Sequence, residues 1–120
     1  MTDGDFLAFL SRAHRCEVSV GGEMCELRIL PAREMLALRR NVASGKFDDA
    51  QQRAVWGNAA LVSMALYRGD EPAFESAETV LSALGVGEIN ALVGRYAKLD
   101  GAVNPSAEDG RGEIEALKKA

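Results

Sequence analysis

Two adjacent glycines, Gly21 and Gly22, separate two runs in which apolar and polar residues alternate. No other feature constrains the fold of this chain as tightly. Alternation sends successive side chains to opposite faces of a strand, and a glycine pair supplies the positive φ angles of a two-residue hairpin turn. Closing the turn there opposes Val20 to Glu23, Val18 to Cys25 and Cys16 to Leu27. One face then carries Cys16, Val18, Cys25, Leu27 and Ile29, and the other Glu17, Ser19, Met24, Glu26 and Arg28. A slip of one residue would exchange the two faces and bury charge, so the pattern fixes the register. A lone hairpin is marginal in water, and its apolar face requires helices to cover it.

Helical spacing predicts those helices. Residues 3–13 read as a short helix carrying Phe6, Leu7 and Leu10, with Asp3 or Asp5 as its cap. Pro31 suits the first turn of a second helix, which runs to about Ser44 and Gly45. Its apolar arc holds Ala32, Met35, Leu36, Leu38, Val42 and Ala43, and Arg39 projects into the middle of it. Asp48 and Asp49 open a longer helix reaching about Leu66, apolar nearly all round and therefore expected at the centre of the domain. Trp56, Ala60 and Tyr67 fall on one face of it, roughly opposite Ala54, Leu61, Met64 and Ala65.

Arg68 to Pro72 has the composition of a turn, with Phe74 as an apolar anchor beyond it. Ser76 caps a short helix containing Val80, Leu81 and Leu84, and Gly85-Val86-Gly87 breaks it. An amphipathic helix from about Glu88 to Leu99 aligns Ile89, Leu92, Val93, Tyr96 and Leu99. The expected fold is α+β: an N-terminal helix and a two-stranded β-hairpin packed on a bundle of about four helices. Residues 1–100 form a single domain in this reading. Residues 101–120 form a flexible polar tail, with too little apolar surface to offset the entropy of ordering.

Composition narrows the function. A chain of 120 residues, 48% hydrophobic, is long enough for one core without staples. The net charge of −4 argues against nucleic acid as partner, since such binders show a basic excess. No apolar run has the length of a membrane span. The acidic start, Thr2 to Asp5, is unlike a basic export leader, which gives a cytoplasmic expectation. His14 is the single imidazole, at a helix-to-strand junction with no acidic neighbour in sequence, so a nucleophilic triad has little to work with. Two cysteines and one histidine leave most zinc ligand sets unfilled. No catalytic, cofactor-binding or metal-binding residues are therefore assigned, and an enzyme is not expected.

Other short signals have ordinary readings. Cys16 and Cys25 are diagonal in the expected register, too far apart for a relaxed disulfide, and read as free thiols. Gly85-Val86-Gly87 lacks the third glycine and the preceding strand of a dinucleotide loop. Arg68-Gly69-Asp70 resembles an adhesion tripeptide that recurs by chance. Asp70, Glu71 and Glu75 are too sparse for a calcium loop.

Three residues remain as candidates for contact with a partner. Arg39, within an apolar arc, either snorkels, pairs with a carboxylate or reaches outward. Trp56 and Tyr67 are either core aromatics or interface aromatics.

In order and spacing, residues 5–100 resemble the tail assembly chaperones of long-tailed bacteriophages and prophages. The resemblance rests on a hairpin ending in Glu26-Leu27-Arg28-Ile29-Leu30 and a charged helix opening at Pro31-Ala32-Arg33-Glu34-Met35. It continues through the alanine- and leucine-rich run Ala59 to Leu66, the acidic turn Asp70-Glu71-Pro72-Ala73-Phe74 and the capping segment Ser76-Ala77-Glu78. The family's Asp-Glu-Asp-Gly turn is altered here to Arg68-Gly69-Asp70-Glu71. The resemblance implies a chaperone that binds the tape measure protein during tail assembly and is absent from the finished particle. The tail tube protein is a further candidate partner, and self-association is open. A structural tail or connector subunit retained in the particle is the alternative. The family also implies a longer frameshifted form, with which the C-terminal Lys118-Lys119 is compatible.

Overall fold

The computed structural model describes Gly4 and residues 14–103, with side chains described to Gly101. The expected N-terminal helix, except Gly4, and residues 104–120 of the expected tail lie outside the described residues. The fold is α+β, with element order β1 (Arg15–Val20), β2 (Glu23–Arg28), α1 (Ala32–Ser44), α2 (Ala50–Ala65), β3 (Leu66–Arg68), β4 (Glu71–Pro72), α3 (Ala77–Ala83) and α4 (Val86–Val103).

The hairpin has the register set by its glycines. Val20 faces Glu23, Val18 faces Cys25 and Cys16 faces Leu27. Gly21 and Gly22 take φ of 59° and 82°, which side-chain-bearing residues rarely adopt. Cys25 and Leu27 are buried, whereas Glu17 is exposed and Glu26 half-buried. Both cysteines are free.

The sheet is larger than the expected hairpin: four antiparallel strands in the order β1-β2-β3-β4. The long helix stops at Ala65, and the chain turns at once into β3, pairing Leu66 with Leu27 and Tyr67 with Glu26. The supposed turn from Arg68 to Pro72 is the tip of a second hairpin, with Gly69 at φ 67°. This strand supplies the partner that the second edge of β2 needs for its backbone groups. Tyr67 is accordingly a strand residue and shares no helix face with Trp56.

Local chemistry sets the other boundaries. The Asp49 carboxylate accepts from the Gln52 N–H at 2.7 Å, and the Gln52 side chain reaches back to the Asp48 N–H. Ser76 caps α3 through the Thr79 N–H. Helix α4 begins at Val86, two residues before the expected start, because the Glu88 carboxylate accepts from the Gly85 N–H at 3.1 Å. The break is therefore Leu84 and Gly85, and Val86 and Gly87 belong to the helix. The helix also runs past Asp100 and Gly101 to Val103, since a glycine in a last turn is tolerated where the helix frays.

Helix α2 is central, contacting α1, α3 and α4. Its Ala59, Ala60, Val62 and Ala65 are buried against Leu27, Leu66, Val80, Ile89, Leu92 and Tyr96. The small alanines let neighbouring elements approach closely. Helix α1 stands differently. Of its expected apolar arc only Leu38 is buried, Met35 and Val42 are half-buried, and Leu36 is 58% exposed. One neighbouring helix cannot cover an arc that wide.

Candidate partner-binding surface

The open flank of α1 and the adjoining side of α2 enclose a groove of about 440 Å³. Its apolar floor comes from Leu38, Val42 and Leu61, with Gly57 beneath. A Cβ at Gly57 would meet Val42 Cγ2 at 3.4 Å, an ordinary van der Waals contact, so the two helices are packed side by side here. Arg39 from α1 and Arg53 from α2 line the same groove. Arg39 is exposed and has no carboxylate partner among the described residues. Of the three readings left open for it, pairing with a described carboxylate falls away, while snorkelling and reaching outward both fit the exposed position.

A second depression of about 600 Å³ adjoins the α1–α2 connection. Trp56 and Phe47 line it, with Val55 from α2, Leu81 from α3 and Lys46 at its rim. The two rings pack at 5.7 Å between centroids with a 50° tilt. Phe47 folds back over Gly45, whose Cβ, if present, would sit 2.6 Å from the Phe47 ring. The Arg53 guanidinium lies 5.8 Å from the Phe47 ring centre and sits between the two depressions. Trp56 is half-buried, in contact with the core on one side and with open space on the other.

Phe47 is the residue that sequence reasoning missed. The signal was present: a single large aromatic between a helix-stopping glycine and the Asp48-Asp49 cap must find cover close at hand.

Tyr67 is elsewhere. It lies on the outer face of the sheet, under the Arg28 guanidinium at 4.1 Å. Arg28 also donates to Glu26 Oε1 at 2.6 Å and to the Gly69 carbonyl at 3.0 Å, so it ties β2 to β3 and its turn. Tyr67 is the platform for that tie. The structure therefore brings Arg39 and Trp56 to one side of the molecule, along α2, and sets Tyr67 apart from them.

His14 adjoins the hairpin, where its carbonyl accepts from the Ile29 N–H at 2.7 Å. No three His, Cys, Asp or Glu side chains among the described residues are gathered to hold a metal ion. No helix among the described residues is long and apolar enough to cross a membrane. Comparison with family models, curated proteins and solved structures gives no match for this chain.

Proposed function

We propose that this chain is a phage tail assembly chaperone that holds a helical segment of the tape measure protein against α1 and α2 during tail morphogenesis, in the cytoplasm of the host cell, and leaves before the particle is complete. The observation that carries the reading is the groove between these helices: an apolar floor and two arginines along it, on a helix that also exposes Leu36. A groove of this kind accepts the apolar stripe of an amphipathic helix, with acidic residues flanking the stripe placed toward Arg39 and Arg53. The ordered landmarks of the sequence support the same reading. Arg28 closes β2, Pro31 precedes α1, and the Asp70 to Phe74 segment carries β4, the second strand of the second hairpin.

A tape measure protein is long and helical, and its apolar surface would aggregate before the tube polymerises around it. Covering that surface requires binding, not catalysis. The experiment is co-expression with the tape measure protein from the same phage genome, followed by pull-down and assay of mature particles. A soluble complex with this chain, and its absence from particles, is the expected result. Failure to form the complex, with this chain present in particles, would replace the reading by that of a structural tail or connector subunit.

A further inference from the structure

We propose that β1 is a pairing edge for a second copy of this chain: two β1 strands meet antiparallel about a two-fold axis at Cys16, with Arg15 of each copy opposite Glu17 of the other. The inference does not depend on the chaperone reading.

Strand β1 pairs with β2 on one side and, among the described residues, with nothing on the other. The glycine turn decides which backbone groups face which way. Val20 and Glu23 flank the two-residue loop and exchange hydrogen bonds, and every second residue back from Val20 repeats that orientation. The Ile29 N–H, donating to the His14 carbonyl at 2.7 Å, extends the same series one step beyond the strand. The N–H and C=O groups of Arg15, Glu17 and Ser19 therefore point away from β2, and none of the described residues bonds to them. Neither a proline nor a bulge, two devices that keep edge strands from pairing, interrupts β1. Its inner face is also incompletely covered: Cys16, Val18 and Val20 are half-buried where Cys25 and Leu27 of β2 are buried.

Charge selects the occupant and its register. Within the hairpin Arg15 stands opposite Arg28 and Glu17 opposite Glu26, so each charge on β1 meets a like charge across the ladder. Arg15 has only a 3.5 Å contact with Glu26 Oε1, an oxygen that Arg28 holds at 2.6 Å. Glu17 is exposed, with no cation partner among the described residues. Opposed residues must share a face of the sheet, so a two-fold axis passes a single residue position. An axis at Arg15 or Glu17 sets like charges face to face. One further along the strand faces Glu17 with Ser19, Gly21 or Glu23, never with an arginine. An axis at Cys16 pairs Arg15 with Glu17 twice, through the outward backbone groups of both residues. It also sets the two Cys16 side chains at a non-hydrogen-bonded position, with Cα atoms about 4.5 Å apart. That spacing is within the range of a disulfide.

The thiol at the axis provides the test. The native full chain is followed by light scattering over a range of concentrations, and its thiols are oxidised mildly with diamide, which takes up the two electrons and two protons of each disulfide formed. The expected result is a dimer that dissociates on dilution, and a Cys16–Cys16 link between copies with Cys25 unlinked. Glu17→Pro removes one outward N–H and leaves the β2 ladder intact, and should lower the yield of the link about tenfold or more. Glu17→Arg should do the same by setting like charges opposite each other, and adding Arg15→Glu should restore the link. Should Glu17→Pro prove unfolded in a thermal melt, the charge exchange decides alone. A chain that is monomeric at every concentration, an equal yield from folded Glu17→Pro, or no restoration in the double variant each overturns the proposal.

Discussion

The backbone N–H of Leu30 donates to the Tyr96 hydroxyl at 3.1 Å, across 66 residues of chain and within the core. Leu30 is the last residue before Pro31, beyond the end of β2, and no ladder satisfies its N–H. Tyr96 supplies the acceptor from the middle of α4. One phenol thus fixes the point where the sheet hands over to the helices. It also explains why a tyrosine, and not a phenylalanine, completes the apolar face of α4.

Tyr96→Phe should keep the packing and leave a buried donor without a partner. The expected loss is roughly 1–3 kcal/mol, read as a lower urea midpoint with unchanged slope. Burial raises the Tyr96 pKa above its usual value, and Asp100 adds to the rise, while the Leu30 N–H pulls the other way. The folded pKa is therefore above the unfolded one. The contribution is fully present below about pH 10 and is lost as pH climbs through the folded pKa, because the unfolded chain releases the proton first. The wild-type chain should lose stability along this alkaline limb, and Tyr96→Phe should lose less.

Arg39→Glu separates binding from folding. The side chain is exposed and unpaired among the described residues, so stability should change by no more than about 0.5 kcal/mol. Affinity for the tape measure protein should fall about tenfold or more, as expected for reversing a charge beside an apolar seat. Calorimetry on the purified pair checks the second, and a thermal melt of the free protein the first. Unchanged affinity would move the binding surface away from this groove.

Glycines at two kinds of position should respond in opposite directions. Gly22→Val forces a β-branched residue to φ 82° and should cost at least about 1–2 kcal/mol. Gly94 sits inside α4, and a Cβ added there would meet nothing within 4 Å. Gly94→Ala should therefore stabilise by about 0.5–1 kcal/mol. Thermal melts of the two variants, taken together, check both signs.

Asp49→Ala removes the acceptor at the start of α2, and Ser76→Ala the one at the start of α3. Each should cost about 0.5–2 kcal/mol. The sites lie on different helices and share no partner, so the double variant should be additive within about 0.5 kcal/mol. Chemical denaturation of the three variants gives the comparison.

How far the sequence spoke for the structure depends on where each cause lies along the chain. The Gly21-Gly22 register, the Asp49 and Ser76 caps and the inward face of α4 were legible, because each is decided by residues a few positions apart. Strands β3 and β4 were not. Leu66, Tyr67 and Arg68 continue a run that is apolar all round, so no change of period marks where helix gives way to strand. What decides it is the second edge of β2, about 40 residues earlier in the chain. Tyr67 was misplaced for the same reason. Arg39 and Trp56 were found as candidates by residue type, but their setting depends on how α1 packs beside α2, and on Phe47 turning back over Gly45. Those are facts of tertiary packing.

Helix α1 closes on the domain through one buried leucine, Leu38, between Pro31 at one end and Gly45 at the other. The groove therefore has one bank anchored in the core and one bank held by few buried side chains. Rotating α1 outward sacrifices Leu38 and parts of Met35 and Val42, but leaves the cluster around Leu66, Val62 and Ile89 undisturbed. On the proposed reading, a bank held this lightly would let the seat widen or narrow around its client. A helical client would then be held at bulky and slender stretches alike, without one particular sequence being needed at each point of contact.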